Sequence, residues 1–129
     1  MATLALDLNP KFTFHSPVFA EGLVDVPEHV DHAIIALDGR APLAGDACVE
    51  TINPVIGPTT LRIDLWVEDL DDTTCTYAFT CTSEDGRIAY ARGERCVVNI
   101  DPKSQKRTPW PVAFRASHAD LRKDLPAFG

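Results

Sequence analysis

The chain has 129 residues, 45% of them apolar, enough for one ordinary domain that buries its own core without disulfide support. Twelve basic residues against 19 acidic ones leave a formal charge of -7, the opposite sign from a generic nucleic-acid binder. No apolar run approaches the roughly 18 residues of a membrane-spanning helix.

Residues 1–10 read as an irregular lead-in. Met1 to Asp7 carries neither a basic leader nor a long apolar segment, so no signal peptide is read and a cytoplasmic location is expected. Lys11-Phe12-Thr13-Phe14-His15 alternates and predicts a short strand, ended by Ser16-Pro17. Val18 to Val26 is apolar apart from Glu21 and Asp25 and reads as a second piece of the same edge strand. Pro27 then suits the first turn of a helix, and Glu28 suits its positive end. Val30, Ala33, Ile34 and Leu37 form an apolar stripe at helical spacing. Asp38-Gly39-Arg40-Ala41-Pro42 stops that helix early.

Ala47 to Ile52 alternates and predicts a strand, followed by an irregular link through Pro54, Gly57 and Pro58. Leu61, Ile63, Leu65 and Val67 then alternate with Arg62, Asp64, Trp66 and Glu68, the pattern of a strand with one buried face. Trp66 falls on the polar face, either as a subunit contact or as a cover for the tail near Trp110. Asp69-Leu70-Asp71-Asp72 breaks this run, and Thr73 to Ser83, rich in Thr, Tyr, Phe and Cys, resumes as a strand. Glu84-Asp85-Gly86-Arg87 carries a hairpin signal into a last strand, Ile88 to Ile100. Thr108-Pro109-Trp110-Pro111 is irregular, and the tail from Val112 predicts a helix with Phe114, His118 and Leu121 on one face, ending at Leu125-Pro126. Strand, short helix, four strands and a tail make an α+β domain over 1–129, with 112–129 as a C-terminal tail.

The four cysteines, Cys48, Cys75, Cys81 and Cys96, all lie in strand-like runs without a Cys-x-x-Cys pair. They read as buried, reduced thiols rather than metal ligands. His15 and His118 read as exposed or as satisfied core histidines. From Arg87 to Arg107 six basic residues face two acidic ones, either a strip for phosphates or an ordinary solvated edge.

The element order resembles the hotdog fold, a curved antiparallel sheet around a helix. Thr51 to Pro111 is most similar, and it resembles acyl-CoA thioesterases of the 4-hydroxybenzoyl-CoA thioesterase type. Leu61 to Val67 resembles their third strand. Gly86 to Arg95, with Ala91-Arg92-Gly93 in the place of Ala-x-Gly, resembles their final turn and strand. Asp101-Pro102 and Lys106 to Trp110 resemble the exit from it. Before the helix these enzymes read Asp-x-Asp-x-x-Gly-His-Val-Asn-Asn. Asp25 matches the second Asp, the usual catalytic carboxylate, and His29-Val30 match His-Val. Leu23 replaces the first Asp, Glu28 the Gly, and Asp31-His32 the Asn pair.

The resemblance implies hydrolysis of an acyl-CoA thioester with no cofactor beyond the CoA of the substrate, in a homodimer or dimer of dimers. Asp25 is then base or nucleophile, and substrate binding falls to Glu28, His29 and Val30, with amides near His29 and Val30 polarising the carbonyl. The bland role for Asp25 is an N-terminal helix cap. Asp25, His29 and His32 also recur at metal-ligand spacing, but only three local ligands argue against a metal. A hotdog protein that binds an acyl thioester without cleaving it, a hotdog dehydratase and a small β-barrel carrier of an apolar ligand remain as alternatives.

Overall fold

A computed structural model describes residues 11–40, 42 and 45–122. The elements run β1 (Phe12–Leu23), α1 (Val26–Asp38), β2 (Ala47–Thr51), β3 (Ile56–Leu70), β4 (Thr74–Ser83), β5 (Ala89–Val98) and α2 (Val112–Ala119). The five strands form one antiparallel sheet in the order β1-β3-β4-β5-β2. The expected order of strand, short helix, four strands and tail is present, and α1 lies against the sheet through Val26, Val30, Ala33 and Ile34.

The alternation in β3 sets the core. Leu61, Ile63, Leu65 and Val67 are fully buried, and the register places Ile63 opposite Cys81, Leu65 opposite Phe79 and Val67 opposite Tyr77. Cross-strand partners share a face, so β4 adds Cys75, Tyr77, Phe79 and Cys81 to the same layer. Ala91 and Val97 of β5 complete it, and α1 covers it. Helix α1 ends where Asp38-Gly39 predicts, because Gly39 adopts the left-handed conformation (φ 82°) and its N–H returns to the Ile35 carbonyl at 2.7 Å.

Three expectations are corrected. Ser16-Pro17 does not end the first strand, because β1 is an edge strand in which Pro17 leaves no ladder bond unmade, and pairing continues to Leu23 past a bulge between Val18 and Gly22. The link at Gly57-Pro58 is not irregular, since Ile56 and Gly57 pair with Leu23 and Gly22, which starts β3 at Ile56. Cys48 is exposed and Cys96 half-buried, because both point away from α1 on strands whose other face carries the core. All four cysteines are free thiols. Burial pushes Cys75 up to about 12 and Cys81 up to about 11, which keeps both unreactive.

Helix α2 closes one end of the core with a ring ladder. Trp110 stacks on Phe114 at 3.9 Å between centroids, and Phe114 stacks on His118 at 3.7 Å. It ends at Ala119, short of the expected Leu125-Pro126, which lies outside the described residues. His118 is a satisfied core histidine. Its Nδ1 lies 2.9 Å from the Phe114 carbonyl, which only accepts, so Nδ1 carries the proton. Nε2 therefore accepts from the Tyr77 hydroxyl at 2.6 Å.

Burial lowers the His118 pKa below its ordinary value, against weaker opposing contributions from the Phe114 carbonyl and Asp38. The unfolded chain then takes up a proton that the fold refuses. The resulting stability is complete above about pH 6.5 and is lost as pH falls from there through the folded pKa. His118→Phe is expected to remove this acid sensitivity. It also takes the imidazole acceptor from the buried Tyr77 hydroxyl and leaves it only the weakly bonding Cys75 thiol, which costs about 1–3 kcal/mol at neutral pH. Denaturant melts at several pH values read both effects.

Candidate active site

The N-terminus of α1 and the segment entering β3 form one wall each of a pocket. Val24 N–H donates to the Val55 carbonyl at 3.0 Å, pinning the residue before Asp25 to that segment. On the other side, the amides of Ile52 and Asn53 both reach the Tyr90 carbonyl, and Asn53 Nδ2 reaches the Ala89 carbonyl at 2.8 Å. The pocket between them has a cavity volume of about 340 Å³ and is lined by Leu23 to Pro27 with Val49, Thr51 and Asn53 to Val55. Its walls are mostly aliphatic, and the single ionisable side chain lining it is Asp25.

Asp25 occupies the N-cap position in extended backbone, but its carboxylate makes no capping hydrogen bond. The side chain is exposed at the pocket. The helix starts at Val26, one residue earlier than Pro27 predicts. Intrahelical bonding then begins with His29 reaching back to residue 25, so the unpaired first-turn amides belong to Val26 and Glu28, Pro27 having none. Those amides, rather than the ones at His29 and Val30, are placed to receive a negative charge beside Asp25. Glu28 is exposed and half-buried His29 turns inward, while the Val30 side chain is in the core.

His29 meets a residue that the sequence reading passed over. Its Nδ1 lies 2.7 Å from the hydroxyl of Ser16, which is only 2% exposed on β1. The alternation of Phe14, Ser16 and Val18 on the core side of β1 is the signal that locates Ser16, and the neighbouring Pro17 masked it. A second tie runs from the opposite flank, where Arg95 of β5 holds Asp31 at 3.0 Å and its own Cys96 carbonyl at 2.8 Å. The first two turns of α1 are thus fastened on both sides. Arg95→Ala is expected to cost about 1–3 kcal/mol, because the Arg95 side chain is 12% exposed and Asp31 loses its cation. Chemical denaturation of the variant checks this.

Asp25, His29 and His32 do not converge. Among the described residues no three His, Cys, Asp or Glu side chains group as metal ligands. The basic strip from Arg87 to Arg107 is not one surface. Arg92 and Arg95 point to opposite faces of β5, and three of the six cations face carboxylates: Arg87 with Asp85, Arg92 with Glu50 and Arg95 with Asp31. Among the described residues Trp66 covers no tail either. It lies on the outer face of the sheet in a cavity of about 500 Å³ with Cys48, Glu50, Arg92 and Glu94, and its Nε1 donates to Glu68 at 2.8 Å. Trp110 lines a different cavity, beside Asp38, Arg40 and Asn99.

No family model and no curated protein matches the sequence. Solved structures do match in shape. A predicted thioesterase from Bacillus stearothermophilus aligns with a TM-score of 0.69 at 18% identity, covering 91% of this chain and 100% of that one. The 1,4-dihydroxy-2-naphthoyl-CoA thioesterase Slr0204 from Synechocystis aligns at 0.68 and 16% identity, covering 91% and 100%. The Staphylococcus aureus protein SAV2348, solved in complex with CoA, aligns at 0.68 and 12% identity, covering 94% and 91%. Five antiparallel strands in the order β1-β3-β4-β5-β2, with α1 laid on one face, give this chain the hotdog fold that these thioesterase structures share.

Proposed function

We propose that the chain hydrolyses an acyl-CoA thioester to a carboxylic acid and free CoA. The observation that carries this reading is the exposed Asp25 carboxylate, free of any capping bond, at the mouth of an aliphatic pocket and beside the unpaired amides of Val26 and Glu28. A carbonyl seated there meets a base or nucleophile and an oxyanion site together. A first-turn amide stabilises the developing oxyanion because it is a fixed donor in a partly desolvated place, and one such donor is typically worth about a hundred- to a thousandfold in rate. Structural neighbours named as thioesterases, and one holding CoA, support the substrate class.

The same region favours a homodimer. Leu23 and Ile56 are 76% and 62% exposed beside Asp25, and β2, which lends Val49 and Thr51 to the pocket, pairs on one side only among the described residues. A second copy added along β2 covers this rim and closes the pocket. Release of free thiol from short, long and aromatic acyl-CoAs tests the activity, and sedimentation equilibrium tests the assembly. Turnover by a dimer is expected. A monomer with no turnover on any acyl-CoA contradicts the reading.

A further inference from the structure

Ser16 is an unusual residue for its place. It sits in the middle of β1 opposite Leu61, faces the core and is buried. Its hydroxyl meets His29 Nδ1 at 2.7 Å, and no other hydrogen bond of that hydroxyl is found among the described residues. A neutral imidazole satisfies the hydroxyl, because Nδ1 accepts its proton. A protonated imidazole carries hydrogen on both nitrogens, so Nδ1 must donate to the Ser16 oxygen, and the hydroxyl proton is left facing a buried, apolar layer.

We propose that the buried Ser16 hydroxyl holds the His29 imidazole neutral, one helical turn from Asp25, so that no cation at His29 draws on the Asp25 carboxylate. This rests on Asp25 being the reacting carboxylate. His29 is then a positioning residue. A charged imidazole so near makes the carboxylate a weaker base and nucleophile, because the anion is stabilised before it reacts. The charged groups around the ring are His32 and Glu28 on α1 and Asp25 at its N-cap. From β1, Ser16 faces it, while His15 points to the other side of the strand beside Arg62. Burial and His32 push the His29 pKa down, and Glu28 and Asp25 oppose them more weakly.

The test has two arms. In the full-length protein, the His29 ring is titrated by NMR in wild type and in Ser16→Ala, with Ser16→Cys as a space-filling substitute should the alanine variant not fold. Loss of a bond to the neutral ring is expected to raise the midpoint by about half a pH unit to one unit. An unchanged midpoint overturns the proposal. The second arm is the pH profile of acyl-CoA hydrolysis. The acid limb is expected to follow His29 upward in Ser16→Ala and to retreat to lower pH in His29→Gln. A limb at the same pH in all three proteins overturns it. No hydrolysis in wild type counts against the thioesterase reading alone, and the NMR arm still decides whether Ser16 keeps His29 neutral.

Discussion

Replacing Asp25 with Asn is expected to lower kcat for acyl-CoA hydrolysis by about a hundred- to ten-thousandfold, with KM little changed. The carboxylate lines the pocket and makes no capping bond, so its removal costs the reaction and not the fold. Asparagine is itself a good N-cap residue and keeps the size of the side chain. Stability is therefore expected to stay within about 0.5 kcal/mol of wild type. Steady-state kinetics beside a denaturant melt separate the two roles. Retained turnover with a marked loss of stability assigns Asp25 to capping instead.

The second large effect is expected at Gly93. A Cβ built there runs into the Cys48 carbonyl and touches Val49 Cα at 3.0 Å. The contact is with backbone, so no side chain can move aside. Gly93 pairs with Val49, and β2 can lie close over β5 only because that position has no side chain. Gly93→Val is expected to push β2 off the sheet, at about 3 kcal/mol or more, the upper end of overpacking costs. Because Val49 and Thr51 line the Asp25 pocket, the variant also loses activity in proportion to the displacement. Amide exchange along Ala47–Thr51 detects the displacement, and protection equal to wild type there contradicts it. The glycine in Ala91-Arg92-Gly93, read at first only as a point of resemblance, thus has a mechanical reason.

The parts of the fold that alternation governs were legible in the sequence. Leu61 to Val67 specifies the buried face of β3, and register then carries Tyr77, Phe79 and Cys81 to the same side. The helix stop at Gly39 and the hairpin at Gly86 were legible because each needs a positive φ, 82° and 77°. Prolines misled where the ladder can do without their N–H. Pro17 and Pro58 read as breaks, yet one sits on an edge strand and the other in the bulge between the Gly22–Gly57 and Val18–Thr59 pairs. The basic run from Arg87 to Arg107 looked continuous because a linear count ignores the pleat, which sends Arg92 and Arg95 to opposite faces.

The candidate site was half legible. Asp25 stood out through its match to the second Asp of the resembling motif and through the helix that Pro27 opens behind it. The wall from Thr51 to Val55 depends on backbone bonds to Tyr90 and Val24 across the sheet, which no local pattern announces. Ser16 was hidden because Pro17 masked its place in the alternation of β1, and its partner His29 lies on a different element. The helix start also shifted by one residue, which moves the free amides to Val26 and Glu28.

The most direct measurement is a structure of the protein with a non-hydrolysable acyl-CoA analogue. The predicted result places the thioester carbonyl oxygen within hydrogen-bonding distance of the Val26 or Glu28 amide and its carbon next to the Asp25 carboxylate, with the acyl chain against Val49 and Val55. An analogue seated elsewhere, such as the outer-face cavity beside Trp66 and Arg92, with the Asp25 pocket empty, contradicts the account.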